Sequence, residues 1–127
     1  MSEETIDGFG FKKLRVWQQA VEFAGVVYSA TKSFPREELF GLTMQLRRAS
    51  VSVAANIAEG TSRASGKDQA RFFEIAYGSL SEVVTMLHVA SQQAYLSEQG
   101  LADISAQASD MCRMLSGLRR SALGHAK

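Results

Sequence analysis

The sequence predicts an all-α fold, an up-down-up-down antiparallel four-helix bundle in one domain, and three observations carry that expectation. Proline occurs once, at Pro35, in a chain rich in Ala, Ser, Leu, Gln and Glu. Proline breaks helices, whereas unbranched side chains lose little rotamer freedom in them. Apolar residues recur at three- and four-residue steps in four separate segments, and no strand-like alternation of useful length interrupts them. The connections are short, which makes successive helices antiparallel neighbours. The 127 residues suit one domain with a useful core. An acidic, glycine-containing segment over residues 1–10 is expected to be flexible, and residues 11–124 to form the bundle.

The first helix is expected from Leu14 to about Lys32. Trp17, Val21, Ala24 and Tyr28 form its stripe, and Val16, Ala20, Phe23 and Val27 widen it. Pro35 pushes Phe34 out of the helical region and ends it. After a short turn broken near Gly41, the second helix runs from about Leu42 to Ala58 on the stripe Leu42, Leu46, Ala49, Val53 and Ile57, with Gly60 as a left-handed stop. Ser65 caps the third helix, which reaches about Ala94. Phe72, Ala76, Ser79, Val83, Met86 and Ala90 line one side of it, and Phe73, Leu80, Val84 and Leu87 the next. Gly78 costs this helix stability relative to alanine and is expected where another backbone comes close. The fourth helix carries the cleanest seam, Ile104, Ala108, Met111, Leu115, Leu118 and Ala122, and fades at Gly124. Helices 2 and 3 are apolar or small on more than one side. That surplus points to a partner surface, most economically a second copy of the chain.

Composition excludes several classes. A net charge of +1 offers no strong field for a polyanion. Cys112 is the only cysteine, so no intrachain disulfide forms. The N-terminus is acidic and lacks a signal-peptide pattern, and no apolar run is long enough to span a bilayer. The expectation is a cytoplasmic protein with no membrane partner.

Chemistry-bearing patterns are sparse. His88 and His125 are the only histidines, and neither follows a glutamate at the spacing used by di-metal bundles. Serines are plentiful, but none has a base and an orienting group at helical spacing. No catalytic residue, metal site, cofactor or small-molecule substrate is expected, and the protein reads as non-enzymatic. Two readings of its charges remain. Arg47, Arg48, Arg63, Lys67 and Arg71 form a basic region around helix 2 and the following loop, suited to phosphate because the arginine fork donates two bonds together. Alternatively the charges are structural. Glu59 and Arg63 stand at i and i+4, and Glu82 can receive Arg47 or Arg48 from the antiparallel neighbour in a register-fixing pair.

The blocks FKKLRVWQQA, TKSFPREELFGLTMQLRRASVSVAANIAEG and FFEIAYGSLSEVVTML, in that order, resemble the small bacterial four-helix-bundle proteins encoded within intervening sequences of large-subunit ribosomal RNA genes. The resemblance runs from about Phe11 to Leu118. The same group is similar to the accessory variability protein of diversity-generating retroelements. It implies a closed antiparallel bundle, assembly as a homopentamer, and a nucleic-acid role, since the retroelement relatives act alongside a reverse transcriptase and its RNA. RNA or an RNA-bound protein is the partner so implied; a protein-interaction scaffold without nucleic-acid affinity is the alternative. The family usually has a proline in the segment that here reads SVSVAANIAEG; Ala54 and Ala55 stand where the break would be, so a straighter second helix is expected.

Overall fold

Four long helices account for most of residues 8–125, the part of the chain described by the computed structural model. They are α1 (Arg15–Thr31), α2 (Leu42–Thr61), α3 (Gly66–Gln92) and α4 (Glu98–His125), with 3-10 turns at Gly10–Lys13 and Arg36–Glu38. Each helix packs on its two neighbours, and α1 closes the ring against α4, so the architecture is a four-helix bundle with α2 and α3 in the most extensive contact. Among the described residues there is no strand.

Local chemistry sets the ends of these elements. Thr31 Oγ1 donates to Val27 O at 2.9 Å where α1 stops, and the chain then reaches Pro35. The N-terminus of α2 has no cap from the adjacent residue. The Glu38 carboxylate does that work from the preceding turn, accepting from Leu42 N at 3.1 Å. Ser65 caps α3 as expected, accepting from Asp68 N at 3.1 Å. Ser97 accepts from Gly100 N at 3.0 Å, so Gly100 lies inside α4 rather than in the connection before it. The α3 C-terminus closes with Tyr95 N donating to Ala90 O at 2.9 Å. Ala94 takes the left-handed conformation, φ 64°, that this type of ending requires.

Inside, Phe23, Leu46, Ile57, Leu80, Leu87, Met111 and Leu115 are fully buried. Each contributes about 1.5–3 kcal/mol relative to remaining exposed. The α4 seam is the one expected. In α1 the phase differs: Val16, Ala20, Phe23 and Val27 face the core, while Val21 and Tyr28 are 46% and 41% exposed. Both stripes are apolar, so periodicity alone does not choose between them. The flanking positions of α2 and α4 do. Likewise Phe73, Ala76, Leu80, Val83, Leu87 and Ala90 form the α3 core line, and Phe72 and Met86 sit on its α2 flank, half-buried.

Neither Gly60 nor Gly78 has the role expected of it. Gly60 does not end α2, which continues unbroken to Thr61; it is buried, and a Cβ there would lie 2.8 Å from Phe73 Cε1 and 3.0 Å from Phe72 Cβ. The α2–α3 turn is tight enough to press the first turns of α3 against the last of α2, and only glycine leaves room. Gly78 faces open space, with nothing within 4 Å of such a Cβ.

Candidate nucleic-acid interface

The antiparallel topology brings three distant stretches of sequence to one end of the bundle: the start of α1, the α2–α3 turn and the end of α4. A shallow groove lined by Leu14, Thr61, Gln69, Phe73, Leu118 and Ala122 marks where they meet. Ala70, Phe73 and Ala122 are buried together beneath it. From the level of the Arg119–Glu74 ion pair, 2.7 Å, to this tip, the described residues carry eight basic side chains against three carboxylates. The bases are Lys12, Lys13, Arg15, Arg63, Lys67, Arg71, Arg119 and Arg120; the acids are Glu59, Asp68 and Glu74. The opposite end is close to balance, with Lys32, Arg36, Arg47 and Arg48 against Glu37, Glu38, Glu82, Glu98 and Asp103.

At the tip, Arg63 pairs with Glu59 as the i, i+4 spacing suggested. The Arg63 and Arg71 guanidiniums both lie 4.7 Å from the centre of the half-buried Phe72 ring, which gathers an arginine of the α2–α3 turn and one of α3 on a single aromatic side chain. Gln69 Nε2 donates to Arg63 O at 3.0 Å and ties the turn to α3. Lys67 is exposed and enters no ion pair with a described residue. Lys13, Arg15, Arg119 and Arg120 are exposed too.

The five arginines and lysines grouped by sequence therefore divide. Arg63, Lys67 and Arg71 share the tip. Arg47 and Arg48 lie 16 and 15 residues back along α2 from Arg63, roughly 23 Å away. Nor does either of them pair with Glu82. Arg47 turns toward α1: its Nε donates to Thr31 Oγ1 at 2.8 Å, its Nη2 to Tyr28 O at 3.4 Å, and its guanidinium lies 4.8 Å from the Tyr28 ring centre. The end of a helix offers unsatisfied carbonyls and partial negative charge, and Arg47 answers both. Arg48 and Glu82 are exposed without an ion pair among the described residues. Between α2 and α3 the cross-contact is instead polar and small, Ser52 Oγ to Ser79 Oγ at 2.9 Å, with Asn56 Nδ2 donating to Ser52 O and Oγ.

Lys13, Arg15, Arg119 and Arg120 were not singled out by their sequence neighbourhoods. The signal lay in combining them with the topology, since the start of helix 1 and the end of helix 4 must share an end with the helix 2–3 turn in an up-down bundle.

No group of three His, Cys, Asp or Glu among the described residues is placed to hold a metal ion. Cys112 is half-buried, and burial pushes its thiol up despite a hydrogen bond from Tyr77 and the nearby Arg113. No helix of the described residues is long and apolar enough to cross a membrane.

Among curated proteins, none matches this sequence. The fold is similar to the crystal structure of a protein of unknown function from the S23 ribosomal protein family of Bacteroides thetaiotaomicron. The TM-score is 0.74, with 20% identity over 82% of this chain and 97% of that one. Residues 12–117 match the family described as 23S rRNA-intervening sequence proteins. That span holds the first three helices and most of the fourth, so the chain belongs to the 23S rRNA-intervening sequence protein family.

Proposed function

We propose that this protein is a non-enzymatic, homo-oligomeric binding module that receives RNA, or the RNA of an RNA-bound protein, at the basic end of its bundle. The observation that supports it is the eight-to-three charge imbalance among the described residues of that tip, in a chain of net charge +1. Clustered bases displace condensed counterions from a phosphate backbone, and the released ions drive binding. Arg63 and Arg71, both positioned on Phe72, present fixed guanidiniums that need little ordering to meet phosphates. The homopentamer implied by the family resemblance would repeat this tip and multiply its contacts.

Fluorescence anisotropy with a structured ribosomal RNA fragment tests the reading. Binding should weaken with salt, with a log–log slope of about −3 or steeper. Lys67→Ala combined with Arg120→Ala should reduce affinity by roughly tenfold at low salt. Lys32→Ala with Arg36→Ala, at the other end, should leave it within about twofold. Absent or salt-insensitive binding would favour the scaffold reading without nucleic-acid affinity.

A further inference from the structure

We infer that the outer face of the α2–α3 seam is where a second copy of this chain docks, with Arg48 of one copy set against Glu82 of the next. This deepens the oligomeric part of the proposed function and rests on it.

The face is largely apolar or small. Ile75 and Val89 on α3 are 41% and 44% exposed with Met86 half-buried between them, and Ser52 and Ala55 line the α2 side. Ile75, Ser79, Glu82, Met86 and Val89 follow steps of four, three, four and three, the spacing of a seam that packs on another helix. Its one cation and one carboxylate near mid-face, Arg48 and Glu82, are both exposed and enter no ion pair with a described residue. One unpaired charge of each sign on an apolar face makes that face complementary to itself.

The register supports the same occupant. The Ser52–Ser79 contact fixes the level of the two antiparallel helices. Arg48 lies four residues before Ser52 and Glu82 three after Ser79. Both are therefore displaced the same way, by about 6 and 4.5 Å, and stand at nearly one height. Ala55 and Ile75 are matched in the same manner on the other side of the contact. Rotation about an axis parallel to the bundle preserves height. A two-fold or a larger ring built that way puts Arg48 opposite Glu82 and Ile75 opposite Ala55, a large side chain against a small one. It also places every basic tip on the same side of the assembly.

Sedimentation velocity on the full chain tests this, with circular dichroism confirming helix content in each variant. The wild type should sediment as an oligomer. Arg48→Glu and Glu82→Arg should each weaken association by roughly tenfold or more, since each sets like charges together. The double reversal should restore the wild-type mass, and Ile75→Asp should dissociate the folded chain. If the wild type assembles and the variants assemble equally well, or the double reversal fails to recover, this docking face is overturned while the oligomeric reading stands. A wild type that is monomeric throughout overturns both.

Discussion

A methyl group added to α2 or α3 can act in opposite directions, depending on which glycine receives it. Gly60 sits against Phe72 and Phe73, where a Cβ would approach to 2.8–3.0 Å. The backbone there has nowhere to go without opening the α2–α3 turn. Gly60→Ala is expected to destabilise by about 1–3 kcal/mol, because overpacking outweighs the better helix propensity of alanine. Gly78 is exposed in mid-helix with nothing near. Gly78→Ala is expected to stabilise by about 0.5–1 kcal/mol through the smaller conformational entropy lost on folding. Thermal melts of the two variants should move in opposite directions. The sequence showed both as glycines in helical patterns; which one meets an aromatic ring depends on atoms contributed by another helix.

At the scale of elements, two side chains hold helix ends that their own sequence leaves open. Arg47 reaches from α2 to the end of α1, bonding Thr31 Oγ1 and Tyr28 O and stacking on the Tyr28 ring. Arg47→Ala should cost about 1–2 kcal/mol in a denaturant titration. Arg47→Lys should recover little of it, because an ammonium lacks the planar fork and the stacking face. At the same end of the bundle Glu38 caps α2 through one carboxylate oxygen and accepts from the Tyr95 hydroxyl through the other at 3.3 Å. The Tyr95 ring also packs 5.6 Å from that of Phe34, so the α1–α2 and α3–α4 connections are joined there. Burial first, then the Glu38 carboxylate, raise the Tyr95 phenol above its ordinary 10.0. A raised folded value means the folded state holds the proton more tightly. The stability this contributes is present below pH 10 and is lost as pH rises through the folded value. Stability measured across that alkaline range should lose this component in Tyr95→Phe.

The whole molecule shows how a nearly neutral chain acquires a polar distribution of charge. The tip bases come from three separate stretches, Lys12–Arg15, Arg63–Arg71 and Arg119–Arg120, of which only the middle one stands out in the sequence as a basic region. Folding stacks them at one end and leaves the other end balanced. A chain of net +1 should therefore be retained on a heparin column at neutral pH and low salt and elute as salt screens the tip. Lys67→Glu with Arg120→Glu should abolish retention, whereas Lys32→Glu with Arg36→Glu, the same change in net charge, should largely preserve it. Elution of both variants together would mean that net charge, not its placement, governs the interaction.

What the sequence determined by itself was whatever depends on local spacing: four helices, the α4 seam, the Ser65 cap, the stop before Pro35 and the Glu59–Arg63 pair. Each of these rests on relations between residues no more than a turn or two apart, where side-chain geometry is set by the 3.6-residue period. The tertiary structure decided whatever depends on what a neighbouring helix brings. It chose Val16–Ala20–Phe23–Val27 over the rival stripe of α1, gave Gly60 its crowding and Gly78 its open space, and directed Arg47 to the end of α1 rather than to Glu82. It also divided the five expected bases between opposite ends of α2 and added Lys13, Arg15, Arg119 and Arg120 to three of them. Periodicity supplies the direction of a side chain relative to its own helix. Its partner is set by the height and rotation of the next helix, and those are fixed only when all four pack at once.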